Sequence, residues 1–242
     1  MSIRQLRTAV SFLTVIPVAD GGRVADRLGR GYFPAVGALI GLLSGVAYVL
    51  VSSITTSLVG AVAAIAVGAV LTGGIHLDGL ADTADGLFGA RDVAARLAIM
   101  RDPRLGSFGI TALVLVLIGQ VAAVAGMSPA RAIAALVIAG ALSRWAMLGV
   151  VALIPYVRES GLGVAVRGAH RIFDLLLGSL LAAIACLLDW RTAVIAVVIV
   201  ALTSLVIVAF ARRRIGGATG DVYGAVSELC QLAVLVTFAA HR

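Results

Sequence analysis

Three aspartates, Asp78, Asp82 and Asp85, stand at i, i+4 and i+7 in the run Gly73-Gly74-Ile75-His76-Leu77-Asp78-Gly79-Leu80-Ala81-Asp82-Thr83-Ala84-Asp85-Gly86. On an α-helix this spacing places all three carboxylates on one face, about a turn apart. Like charges stacked this way repel, so the arrangement asks for a cation. Hard carboxylate oxygens, completed by water and substrate phosphates, are what Mg²⁺ takes. The chain has only 12 acids in 242 residues, so three in one short run is not ordinary surface charge. The competing reading is an acid-rich, solvated helix start.

Three further constellations carry chemical potential. Met100-Arg101-Asp102-Pro103-Arg104-Leu105-Gly106 precedes an apolar run, and Arg101 and Arg104 flank a turn from which forked guanidinium contacts reach a phosphate. The same arginines read equally well as interfacial anchors whose heads snorkel to lipid headgroups. Gly216-Gly217-Ala218-Thr219-Gly220-Asp221 opens the last apolar run, and the backbone of Gly217, Thr219 and Gly220 would offer N–H groups to an anion at a helix start. Asp221 there is either a further metal ligand beside Asp78, Asp82 and Asp85 or a simple helix cap. Glu228 follows Asp221 by seven residues, on the same helical face. Ionisable groups inside apolar runs are functional candidates by default, so Glu228 joins Asp82 and Asp85 as a catalytic candidate. Arg144, inside another apolar run, needs an acid, and Glu228 or the Asp cluster can supply it. His76 is either a base or a partner that orients another side chain.

What must position these groups is a membrane bundle. The chain is 61% hydrophobic and 13% charged, with a mean hydropathy of +1.11. Soluble domains carry about 25% charged residues. Seven runs reach or approach the roughly 20 apolar residues a helix needs to cross a bilayer: 34–53, 57–76, 107–127, 131–154, 172–188, 192–211 and 222–240. Isolated apolar runs in lipid must be helical, so the expected fold is an all-α polytopic bundle, read as one domain over residues 1–242. Ile3 to Pro17 is too short to span and reads as an interfacial amphipathic helix, as does the stretch carrying Val93, Leu97 and Met100. Gly37, Gly41 and Gly45 at four-residue spacing predict close helix packing in the first span. Cys186 and Cys230 lie in apolar runs without ligand spacing, and no disulfide framework follows.

All 19 basic residues are arginine. Fifteen of them (Arg4, Arg7, Arg23, Arg27, Arg30, Arg91, Arg96, Arg101, Arg104, Arg158, Arg167, Arg171 and Arg212 to Arg214) fall at one side of the predicted spans. Arg131, Arg191 and Arg242 fall at the other. The positive-inside rule then predicts a cytoplasmic N-terminus and Asp cluster and an outward C-terminus. The net charge of +7 is thereby a topology signal met by lipid headgroups, and no nucleic-acid partner is expected.

The chain resembles the adenosylcobinamide-GDP ribazoletransferases, the cobalamin synthases, almost end to end. The resemblance runs through Phe12-Leu13-Thr14-Val15-Ile16-Pro17, Tyr32-Phe33-Pro34, the string from Gly73 to Gly86, Ile99 to Gly109, Ser143-Arg144 and Gly216 to Asp221. It departs at Arg101, where the family more often has Lys, and at Pro103, where it more often has Ser. The resemblance implies the last step of adenosylcobalamin assembly in a bacterial inner membrane. Adenosylcobinamide-GDP and α-ribazole, or its 5′-phosphate, would join with release of GMP, with Mg²⁺ required. Phosphoryl transfer of this kind is catalysed mainly by positioning and charge neutralisation. Membrane lipids, self-association and association with other cobalamin-assembly enzymes are the further partner expectations. Asp82 to Arg91 also partly resembles the motif of the CDP-alcohol phosphotransferases, an alternative enzyme class. A cation transporter is a third reading, though it would want acids near the membrane midplane.

Overall fold

The structure, a computed structural model, describes residues 3–18, 29–158 and 171–241. Of the arginines that set the predicted orientation, Arg23, Arg27, Arg167 and Arg242 lie outside the described residues. Among the described residues there are ten α-helices and no strand: α1 Ile3–Leu13, α2 Phe33–Ser52, α3 Ser57–Leu71, α4 Ile75–Gly89, α5 Val93–Ile99, α6 Ser107–Ala125, α7 Pro129–Leu153, α8 Arg171–Cys186, α9 Trp190–Ile215 and α10 Gly220–Ala240.

Five stretches are long and apolar enough to cross a membrane: Arg30–Ser52, Ser107–Ala125, Pro129–Leu153, Ile172–Ile215 and Gly220–Ala240. Together α3 and α4 qualify as a sixth, although they are bent by 89°. The 44 residues of Ile172–Ile215 exceed one crossing. They fold back at the 3-10 turn Leu187–Asp189. Asp174 near the start of α8 pairs with Arg30, which precedes α2, whereas Asp189 lies 3.8 Å from Arg131 at the start of α7. The chain then returns, and the carbonyl of Arg214 accepts from Arg96 of α5. With α3 and this hairpin counted, the expected all-α polytopic bundle stands, and its apolar runs all appear as helices.

The second expected span, 57–76, is corrected. Helix α3 stops at Leu71 because Gly73 and Gly74 take φ of +61° and +71°, a region that L side chains avoid. The Gly74 N–H donates to Ala69 O at 2.9 Å and the Gly73 N–H to Val70 O at 3.0 Å, the paired closure of a Schellman motif. Fifteen residues of α3 rise only about 22 Å, less than the roughly 30 Å of a bilayer's hydrocarbon core. Beyond the bend, α4 runs across the end of the bundle instead of continuing through it. The amphipathic segments also prove to be docked on protein. Ala9 and Leu13 of α1 are buried, and the N–H of Val15 bonds Leu71 O at 2.9 Å. After α5, Met100 is buried and packs against α4 at Gly86, although Val93 faces outward.

The glycine stripe of α2 does what its spacing predicts. A methyl group on Gly37 would meet the carbonyl of Gly140 on α7, one on Gly140 would meet Gly37, and one on Gly41 would meet Leu136 O. Small residues let the two backbones touch, which is how apolar helices gain packing energy where lipid offers no hydrophobic driving force.

Candidate active site

The bend puts the Asp helix α4 against the first turns of α10 and α6. Where α4 crosses α10, the two backbones are in direct contact. A methyl on Gly79 would lie 2.8 Å from Asp221 O and 3.2 Å from Gly224 Cα, and a methyl on Gly224 would lie 2.9 Å from His76 O. Any larger pair of residues would hold the helices apart. This contact brings Asp78 and Asp82 beside Asp221. Asp78, Asp221, Asp85 and Arg158 all act electrostatically on Asp82.

Asp78 and Asp221 line a cavity of about 200 Å³, together with His76, Arg158, Gly220 and Gly224. Arg158 is the charged partner within it. Its Nη2 lies 2.6 Å from Asp221 Oδ2 and donates to Met100 O at 3.2 Å, while its buried Nε has no hydrogen-bond partner among the described residues. A parallel backbone bridge between Tyr156 and Ala218 places it there, with Val157 N–H donating to Ala218 O and Ala218 N–H to Pro155 O. From sequence Arg158 read only as one of the topology arginines. The segment after α7 pairs with the segment before α10 across some sixty residues, and no local pattern signals such a contact.

Asp85 takes a different part from the one its spacing suggested. It is buried, and its two oxygens accept from Gly106 N–H at 2.8 Å and Gly109 N–H at 2.9 Å. These are free donors at the start of α6, so Asp85 caps that helix from outside and complements its dipole. Gly106 and Gly109 are required there, since a methyl on either would run into the carboxylate. Among the described residues, no three His, Cys, Asp or Glu side chains converge to enclose a metal unaided.

Arg144 and Glu228 lie deeper and do not meet directly. Arg144, 2% exposed, donates to Ser143 Oγ at 3.0 Å and to Gln231 Oε1 at 2.9 Å, and its Nη2 is 3.4 Å from His76 Nδ1. Gln231 donates in turn to Gln120, and Gln120 donates to Glu228 Oε2 at 3.0 Å. Of the two partners open to Arg144 from sequence, Glu228 is reached only through a relay of two amides that links α4, α6, α7 and α10. Gln120, Arg144, Glu228 and Gln231 border an inner cavity of about 20 Å³, separate from the one lined by Asp78 and Asp221.

The remaining expected binding residues divide. Gly220 lines the larger cavity, but Gly217 is covered: a methyl there would lie 2.3 Å from Pro155 O, so this glycine serves close packing. Buried Thr219 spends its hydroxyl locally, accepting from Val222 N–H at 3.3 Å and donating to Asp221 at 3.1 Å. Arg101 and Arg104 are exposed and lie outside the cavity lining. Arg104 forms a two-pronged pair with Asp102, at 2.9 and 2.6 Å, which holds the Asp102 carboxyl down at about 2.

Replacing Asp85 with Asn puts an amide donor against backbone N–H groups, at a cost of about 1–3 kcal/mol. Thermal unfolding in detergent should therefore show a clear loss for Asp85→Asn and almost none for the exposed Asp78→Asn. Equal melting temperatures would contradict the capping role.

The cobalamin-5-phosphate synthase family model matches residues 5–239. An adenosylcobinamide-GDP ribazoletransferase of Desulforamulus reducens is 36% identical over 95% of this chain and 94% of its own length. Proteins of the same name from Stutzerimonas stutzeri and Pseudomonas syringae pv. syringae are 38% and 39% identical, over 97% and 96% of this chain and 97% of each relative. No solved structure matches the chain. A helical membrane bundle with this Asp run at one end, matched over nearly its whole length, belongs to the cobalamin-5-phosphate synthase family.

Proposed function

We propose that this protein joins α-ribazole, or its 5′-phosphate, to adenosylcobinamide-GDP. A ribose hydroxyl oxygen of the acceptor forms a bond to the phosphorus attached to cobinamide. The bond from that phosphorus to the GMP oxygen breaks, GMP leaves, and the hydroxyl proton passes to a carboxylate. The observation that carries this reading is the cavity where Asp78, Asp221 and Arg158 meet at the Gly79–Gly224 crossing. The acids sit together at one end of the bundle, where a bulky soluble corrinoid has access. That placement, with the family, favours the transferase over a CDP-alcohol lipid enzyme or a cation transporter.

The donor set fits Mg²⁺. It is made of carboxylate oxygens, it is open, and Mg²⁺ is commonly held by one or two carboxylates plus substrate phosphates, without a closed protein cage. Asp78 and Asp221, which share the cavity, would hold the ion, with Asp82 beside them; when bound it would polarise phosphoryl oxygens. Asp82, half-buried between the other acids, is the carboxylate we assign to receive the proton. Arg158, poised on Asp221 with a spare buried N–H, meets anionic charge of the diphosphate. Arg144, Glu228 and the two glutamines hold α4 in place from beneath. Arg101 and Arg104, exposed and outside the cavity lining, take no part in this core of the site.

Purified protein in detergent with Mg²⁺, adenosylcobinamide-GDP and α-ribazole should release GMP and form cobalamin. Asp82→Asn should lower turnover by at least about a hundredfold while keeping its melting temperature. Near-normal turnover in Asp78→Asn, Asp82→Asn and Asp221→Asn alike would overturn the assignment.

We further propose that the Asp end faces the cytoplasm in a bacterial inner membrane, because the arginines concentrate there. An alkaline phosphatase fused after the C-terminus should then be active. A cytoplasm-only reporter active at the same junction would reverse the orientation.

A further inference from the structure

The cavity has a chemically mixed lining. His76, Asp78, Arg158 and Asp221 are its titratable members. Much of the rest is hydrocarbon or aromatic ring, from Phe12, Phe33, Met147, Val151, Tyr156 and Tyr223. Phe12 of α1 stacks on Phe33 at the start of α2, with ring centroids 5.7 Å apart and planes 2° from parallel. Tyr156 and Tyr223 form a second pair, 6.1 Å apart. Two aromatic pairs around a volume of about 200 Å³ make a slot for a flat ring system.

Resting on the reaction proposed above, we propose that this apolar wall receives the aromatic base of the acceptor nucleoside, turning its ribose toward Asp78, Asp221 and Arg158. Size and polarity choose among the parts of the two substrates. A corrin macrocycle is far too large for the cavity. Guanine would fit by size, but of the wall residues only Tyr156 and Tyr223 carry a polar group, so most of its edge of donors and acceptors would lie against Phe12, Phe33, Met147 and Val151, and unpaired buried polar groups are costly. A benzimidazole base is flat, bicyclic and mostly apolar, and the ribose attached to it is polar. The nucleoside therefore has the same mixed apolar and polar character as the cavity lining. The donor then approaches from outside, with only its diphosphate reaching the acids. Helix α1 acquires a role in this arrangement, because it supplies one wall of the slot rather than only a membrane contact.

The test is steady-state kinetics on the full-length protein with each substrate varied in turn. Wild-type turnover is measured first; absence of product there would overturn the reaction itself, separately from the subsite. Val151→Phe, which fills the slot, should raise KM for α-ribazole by at least about tenfold while KM for adenosylcobinamide-GDP and the melting temperature are unchanged. Met147→Ala, which enlarges it, should raise kcat/KM for a ribonucleoside of a tricyclic naphthimidazole relative to that of dimethylbenzimidazole. A rise in the donor's KM alone would put guanine or another donor group in the slot. Unchanged KM for both substrates in Val151→Phe would make the slot a lipid-chain site; either result overturns the proposal. Should Val151→Phe fail to fold, an unaltered base preference in Met147→Ala would overturn it.

Discussion

Backbone contact between Gly79 and Gly224 is the constraint on which the rest of the site depends. Helices that carry side chains at their crossing stand about 8–10 Å apart, so larger residues here would move Asp78 and Asp82 away from Asp221. Two glycines remove that spacing. The crossing then sets His76 and Asp78 on one side of the contact and Asp221 on the other, with Arg158 held over the gap. The sharp turn at Gly73 and Gly74 is its counterpart, because α4 can cross α10 only after the chain has left the direction of α3.

Charge is handled in two layers. Near the surface, Asp221 is met by Arg158, and Asp85 is neutralised by the N-terminus of α6. Beneath, Arg144 and Glu228 each hydrogen-bond a glutamine and act on one another only through space. A relay of neutral amides tolerates small shifts of the helices better than a direct buried ion pair, whose desolvation cost is repaid only at ideal geometry. It also anchors α4 through His76, so the surface acids rest on a fixed base.

Much of this was legible in the sequence wherever the signal was local. The apolar runs gave the helices, the four-residue spacing of Gly37 and Gly41 gave close packing of α2 without naming α7 as its partner, and the i, i+4, i+7 aspartates did lie on one helix. What escaped was set by distant partners. Asp85 looked equivalent to Asp78 and Asp82, because nothing in the run reveals that the start of α6 lies against it. Arg158 looked like one topology arginine among fifteen, and only the pairing of Tyr156 with Ala218 brings it to Asp221. Gly217 and Thr219 resembled an anion cradle, yet the same pairing covers the first, and the helix start of α10 uses the second. The second span was read too long because a pair of glycines after an apolar run marks a turn without giving its angle.

The most direct measurement is the saturated turnover of Gly79→Ala beside that of Gly126→Ala, each with its melting temperature. One added methyl at position 79 meets backbone at 2.8 Å, whereas at position 126 it meets nothing within 4 Å. A displacement of even about 1 Å at a reacting centre can cost a hundredfold in rate, so Gly79→Ala should lose at least about tenfold in kcat while Gly126→Ala retains full activity. Wild-type kcat in Gly79→Ala would contradict the account.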